Sequence, residues 1–99
     1  MRGALHATEI PFVLDTVRAK YQSTLSPEDQ AMAETMSAYW AAFARSGDPN
    51  GSALPRWPAY TAETDLIMDF TAAGPVAGPD PRRIRLDLVE ALASAPPVP

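Results

Sequence analysis

A single histidine, His6, stands in the stretch GALHATEIPF, three residues before Glu9. An imidazole is the side chain that most readily passes a proton near neutral pH. Beside a hydroxyl nucleophile and an orienting acid it becomes the base of a serine hydrolase. The serines of this chain are Ser23, Ser26, Ser37, Ser46, Ser52 and Ser94, and none lies in a Gly-x-Ser-x-Gly elbow, the strained turn that exposes a nucleophilic hydroxyl. A complete triad within these residues is therefore not expected, and His6 taken alone reads more often as a surface or structural histidine. Glu9 is too close along the chain to be assumed the orienting acid, and bracing of the loop is the plainer reading. His-Ala-Thr-Glu is not the His-Glu-x-x-His of zinc hydrolases. One histidine and no cysteine leave no ligand set, so neither a metal nor a cofactor is expected. The stretch GDPNG, residues 47–51, lacks the Lys-Ser or Lys-Thr ending of a phosphate loop and reads as a turn.

The elements that must carry these residues are legible in part. Residues 1–24 read as an irregular, turn-rich segment, with Pro11 biasing Ile10 away from helix. LSPEDQ then starts a helix: Ser26 is the N-cap, Pro27 takes the first helical position and Asp29 reaches back to the cap amide. Met32, Met36, Tyr39, Trp40 and Phe43 recur at helical spacing and predict one apolar stripe. Arg45 suits the negative end of the helix dipole and Gly47 the left-handed stop, which places the helix at 27–46. DLIMDF, residues 65–70, predicts a short strand with Leu66, Met68 and Phe70 on one side and Asp65 and Asp69 on the other. The Pro- and Gly-rich AAGPVAGPDP interrupts regular structure. Asp80-Pro81 then opens a last helix with Ile84, Leu88 and Leu92 on one face. Residues 1–95 read as one segment and 96–99 as a disordered tail.

Composition narrows the function. Ninety-nine residues allow one domain at most, and the 11 prolines dilute the large apolar side chains that build a core. The formal charge of −4 opposes binding to nucleic acid or to anionic membrane surfaces. The apolar runs are far short of the roughly 20 residues that span a bilayer. No secretory signal stands at the start of this sequence, so a cytoplasmic location is expected if it is expressed as written. RRIR, residues 82–85, is too brief a basic run to argue for nucleic acid.

Taken in order, three motifs resemble the C-terminal end of the type B carboxylesterases, the family that includes the cholinesterases. The first is Gly-x-x-His-x-x-Glu-(Leu or Ile)-Pro-(Phe or Tyr)-Val, here Gly3, His6, Glu9, Ile10, Pro11, Phe12 and Val13. The second is Trp-x-x-Phe-Ala-x-x-Gly-x-Pro-Asn, here Trp40, Phe43, Ala44, Gly47, Pro49 and Asn50. The third is Trp-Pro-x-Tyr, here Trp57, Pro58 and Tyr60. Leu14-Asp15 departs from the family's frequent Phe-Gly.

The resemblance implies an α/β fold, of which this is the C-terminal fragment: two amphipathic helices and one or two short strands, incomplete as a domain. It implies that His6 is the base of a Ser-Glu-His triad and that Glu9 belongs to the hydrogen-bond network around the site. In the family the nucleophile elbow, the oxyanion-hole glycines and the triad acid lie upstream of the histidine. The expected function is thus that of a carboxylic-ester hydrolase fragment, inactive alone, meeting a small ester only in the complete enzyme. The alternative is a non-catalytic remnant or a helix-mediated interaction module, pairing with another chain through the stripe of the 27–46 helix or through the last helix, helix-mediated self-association included.

Overall fold

The computed structural model describes residues 4–51 and 53–98, so Gly3 of the first motif lies outside the described residues. The elements run α1 (Ile10–Val13), α2 (Val17–Tyr21), a 3-10 turn (Gln22–Thr24), α3 (Pro27–Ser46), β1 (Leu66–Thr71), β2 (Gly74–Pro79) and α4 (Arg83–Ala93).

α3 begins and ends where its local chemistry places it. Ser26 Oγ accepts from the Asp29 amide at 3.1 Å, and the Asp29 carboxylate accepts from the Ser26 amide at 3.3 Å. This reciprocal pair satisfies two amides that the first turn would leave without partners. At the other end Gly47 takes φ 77° and its amide donates to the Phe43 carbonyl at 2.7 Å, a conformation that costs a glycine nothing.

The buried side of α3 is narrower than the expected stripe. Ala33, Met36, Tyr39 and Ala42 are buried, whereas Trp40 and Phe43 are 41% and 59% exposed. Ala42 belongs to the core because backbone comes close to it: a Cβ added at Gly51 would stand 3.0 Å from the Ala42 Cβ. A volume pattern of large residues alone misses such a contact.

Ile10–Val13 and Val17–Tyr21 are helical where an irregular path was expected. Pro11 stands in the first turn of α1, where its missing amide forfeits no helical hydrogen bond. Pro11 and Val17 are buried, and α1 and α2 both pack on α3.

The stretch read as an interruption of regular structure contains β2. It pairs antiparallel with β1 through a two-residue link, from Leu66 opposite Pro79 to Thr71 opposite Gly74. Pro75 and Pro79 share the alternation whose amides point outward. The opposite alternation continues to Asp80, whose amide donates to the Asp65 carbonyl at 3.3 Å. An edge strand tolerates proline on that outer alternation.

α4 starts later than Asp80-Pro81 suggested. Its N-cap is Arg82, without a side-chain cap, while the Asp80 carboxylate accepts the Arg82 amide at 2.8 Å just ahead of the helix. Every residue of α4 is exposed, Ile84, Leu88 and Leu92 by 88%, 59% and 67%. Arg83 ties it to Asp65 at 3.9 Å. Beyond it Pro96–Val98 form no regular element.

The whole measures 59 × 31 × 22 Å, with a radius of gyration of 17.1 Å, against about 13 Å for a closed domain of this length. Its accessible surface is 7957 Å², where mass scaling gives roughly 5,500 Å² for a self-contained monomer. The excess is the surface of a piece that has not closed its own core.

Candidate functional site

His6 sits in a tight turn. The Thr8 hydroxyl donates to the Leu5 carbonyl at 2.8 Å and the Thr8 amide to the same oxygen at 3.4 Å, while Ala7 takes φ 63°. Glu9 caps α1 through its backbone: its carbonyl accepts from the Phe12 and Val13 amides at 3.0 and 2.9 Å. Buried Pro11 anchors the following turn to the body. The loop is thus shaped locally, by hydrogen bonds within residues 5–13, and held at one end by packing.

On that turn the His6 imidazole and the Glu9 carboxylate are both exposed. Among the described residues neither side chain makes a hydrogen bond, to the other or to any serine. No group of three His, Cys, Asp or Glu side chains among the described residues could hold a metal ion. Asp15, where the resembling family often has glycine, takes φ 53°. Non-glycine residues enter that region at a cost, although Asp is among those that tolerate it.

A second constellation is larger. The side chain of Asn50 acts as a peptide mimic: its Oδ1 accepts from the Trp57 amide at 2.6 Å and its Nδ2 donates to the Trp57 carbonyl at 2.8 Å. Asp48 Oδ1 holds Asn50 in place, accepting from its amide at 2.9 Å and its Nδ2 at 3.1 Å. Trp57 is thereby pressed edge-on against Tyr39 and Phe70, at centroid distances of 5.3 and 5.7 Å, with Trp40 at 5.9 Å. Edge-to-face rings at such distances add to the area they bury. The Tyr39 hydroxyl donates to the Pro55 carbonyl, and burial raises its phenol pKa above the ordinary value.

Beside this cluster a groove of about 640 Å³ remains open, walled by Trp40, Phe43, Trp57, Pro58 and Tyr60. Neither His6 nor Glu9 lines it. GDPNG reads locally as a turn, and the family motifs that single out Asn50 and Trp57 do not say that the two are hydrogen-bonded; the chemical signal is an Asn between two turn glycines, a residue able to imitate a backbone amide. The groove's rim is a clasp: the Tyr60 hydroxyl donates to Asp65 Oδ1 at 3.0 Å, and Asp65 faces Arg83. That hydrogen bond, then the negative charge of Asp65, hold the Tyr60 phenol above its usual pKa.

The profile described as the carboxylesterase family matches residues 1–83. Carboxylesterase 4A of Bos taurus is 43% identical over 70 residues, which are 70% of this chain and 12% of that protein. Cocaine esterase of Homo sapiens is 38% identical over 63 residues, 64% of this chain and 11% of that protein. A solved PNB esterase superposes with a TM-score of 0.67 and 27% identity, over 83% of this chain and 17% of that one. The sequence therefore spans about an eighth of its curated relatives. The matched segment holds the His6 turn, the Asn50 clamp and the hairpin, and ends as α4 begins.

Proposed function

The chain belongs to the carboxylesterase family, and from that premise we propose that it supplies the general base, His6, to serine-dependent hydrolysis of a carboxylic ester. In the assembled enzyme His6 accepts the serine proton as the hydroxyl attacks the ester carbonyl, then returns it to the leaving alcohol. The acyl-serine is cleared by water through the same proton path. Glu9 joins the hydrogen bonds around the site without being the triad acid. By itself this chain turns over no ester, since the elbow and the oxyanion donors are not among its residues. The observation that carries the reading is the placement of His6: an exposed imidazole on a turn closed by Thr8 and anchored by buried Pro11, within the family-matched segment. Such an imidazole has its reach set by the chain and its partners still to come.

The test is reconstitution. The chain is mixed or co-expressed with an N-terminal carboxylesterase portion bearing a Gly-x-Ser-x-Gly elbow, and turnover of an aryl acetate is followed. The chain alone is expected to be silent and the mixture active. His6→Ala should lower the mixture's kcat by roughly 10⁴- to 10⁶-fold, the scale of losing a triad member. Turnover by the chain alone that vanishes in His6→Ala refutes the proposal, as does a mixture indifferent to that substitution.

A second reading rests on α4, whose apolar residues are exposed on all sides. In this reading α4 is an interaction helix that pairs with another chain, including a second copy. It is compatible with the first, because the two use opposite ends of the sequence.

A further inference from the structure

The turn that presents His6 holds a backbone conformation its own residue types do not favour. Leu5, His6, Ala7 and Thr8 form a four-residue turn in which the Thr8 amide donates to the Leu5 carbonyl, Ala7 takes φ 63° and His6 stays outside the left-handed region. Positive φ at the third residue alone is the mark of a type II turn, and that position is ordinarily glycine, since a Cβ there crowds the neighbouring backbone. Here it is alanine, which is not among the side chains enriched in the left-handed region. Contacts outside Ala7 must hold it there.

Such contacts stand on both sides of it. Downstream, the Ala7 carbonyl accepts from the Ile10 amide at 3.3 Å, and the next residue, Pro11, is buried. Upstream, the Leu5 carbonyl receives two donors from Thr8. The amide at 3.4 Å is beyond the usual range of an N–H donor, whereas the hydroxyl at 2.8 Å is at the centre of the range for its type. The hydroxyl is therefore the stronger tie across the turn. The net worth of one hydrogen bond and the cost of one left-handed alanine are of the same order, so losing the first is enough to release the second.

We infer that Thr8 is a positioning residue for His6: its hydroxyl, by holding the Leu5 carbonyl, keeps Ala7 left-handed and so sets the direction in which the imidazole leaves the body. This rests on the reading of His6 as the general base. The φ angle of Ala7 is rotation about a single bond, with His6 on its upstream side and the anchored α1 on its downstream side. Relaxing that angle to the ordinary range swings His6 relative to α1 while α1, the aromatic cluster and the hairpin stay where they are. Misplacing a reacting group by about 1 Å costs on the order of 10²-fold in rate. Thr8 carries no proton in this scheme and acts only through the turn.

The test uses the reconstituted mixture and the full chain by itself. Thr8→Val keeps the branched shape and deletes the hydroxyl; kcat for an aryl acetate should fall about 10- to 100-fold with KM nearly unchanged. Thr8→Ser, which keeps the hydroxyl, should stay near the parent kcat. Ala7→Gly makes the left-handed conformation free of steric cost, so adding it to Thr8→Val should recover most of the loss. In the chain alone, nuclear magnetic resonance should show the strong cross-peak between the Ala7 amide and its own Hα that positive φ produces. That cross-peak should persist in Thr8→Ser and weaken in Thr8→Val. A Thr8→Val mixture with the parent kcat while His6→Ala is silent, a loss shared by Thr8→Ser, no recovery on adding Ala7→Gly, or a cross-peak unchanged in Thr8→Val would each overturn this inference and leave His6 as the base. A mixture indifferent to His6→Ala removes the base, and this inference with it.

Discussion

α3 and α4 both start close to a proline and both carry apolar residues four apart, yet α3 buries Ala33, Met36, Tyr39 and Ala42 while all of α4 is exposed. Local signals are not what separates them. α3 has the reciprocal Ser26–Asp29 cap, and α4 has Asp80 catching the Arg82 amide one step early. What differs is the surroundings. α3 is met by α1, α2 and the Trp57 segment that Asn50 clamps, while among the described residues α4 is tied to the body by the Arg83–Asp65 ion pair. Periodicity makes a helix amphipathic, but burial needs a second surface of matching shape.

The contrast can be tested, beginning with the ring that the packed region cannot lose. Tyr39→Ala removes a fully buried aromatic, about 3–5 kcal/mol on the scale of large-to-alanine core changes. In a piece that has not closed its own core this is expected to abolish the near-ultraviolet circular dichroism of the aromatic cluster altogether. Survival of that signal would mean that the cluster does not hold α3 and residues 50–57 together.

Asn50→Ala keeps every ring but strands the Trp57 amide and carbonyl, at about 1–3 kcal/mol for buried polar groups left unpaired. The expected readout is a lower urea midpoint and faster amide exchange at Trp57. An unchanged midpoint would show that the rings alone seat Trp57.

The clasp between the two regions responds to pH. Because the Tyr60 pKa is raised by its hydrogen bond to Asp65, its contribution is complete below the ordinary phenol value of about 10 and is lost as pH rises through the higher folded value. Ultraviolet titration should show a late-ionising phenol that Tyr60→Phe deletes.

The smallest effect belongs to α4. Leu88→Glu should change stability by less than about 0.5 kcal/mol, as for an exposed position away from special features, while reducing any association through the helix. A large loss of stability would show that α4 packs on its own chain in solution.

Much of this was legible beforehand. Ser26, Pro27, Asp29 and Gly47 marked both ends of α3 because capping is settled among residues a few positions apart. The alternation in DLIMDF marked β1 for the same reason. The order of three motifs located His6 within a family, where an isolated histidine would not have been noticed. The misses were of another kind. β2 was hidden because proline is judged by its missing amide, and only the partner strand reveals which amides are needed. α1 and α2 were hidden because they are too short to announce themselves and hold their shape by lying on α3. The role of Asn50, though the residue stood in a motif, was hidden because its two hydrogen bonds are to Trp57, seven positions away, across a turn.

The sequence by itself determined the local grammar of this protein, the two ends of α3, the alternation of β1 and the kinship that gives His6 its meaning, since each rests on neighbours along the chain. Tertiary structure alone decided that Ala33 and Ala42 are core while Trp40 and Phe43 wall a groove, and that α4 stands uncovered. Burial belongs to pairs of surfaces, and a residue cannot show in its own neighbourhood which surface will arrive to cover it.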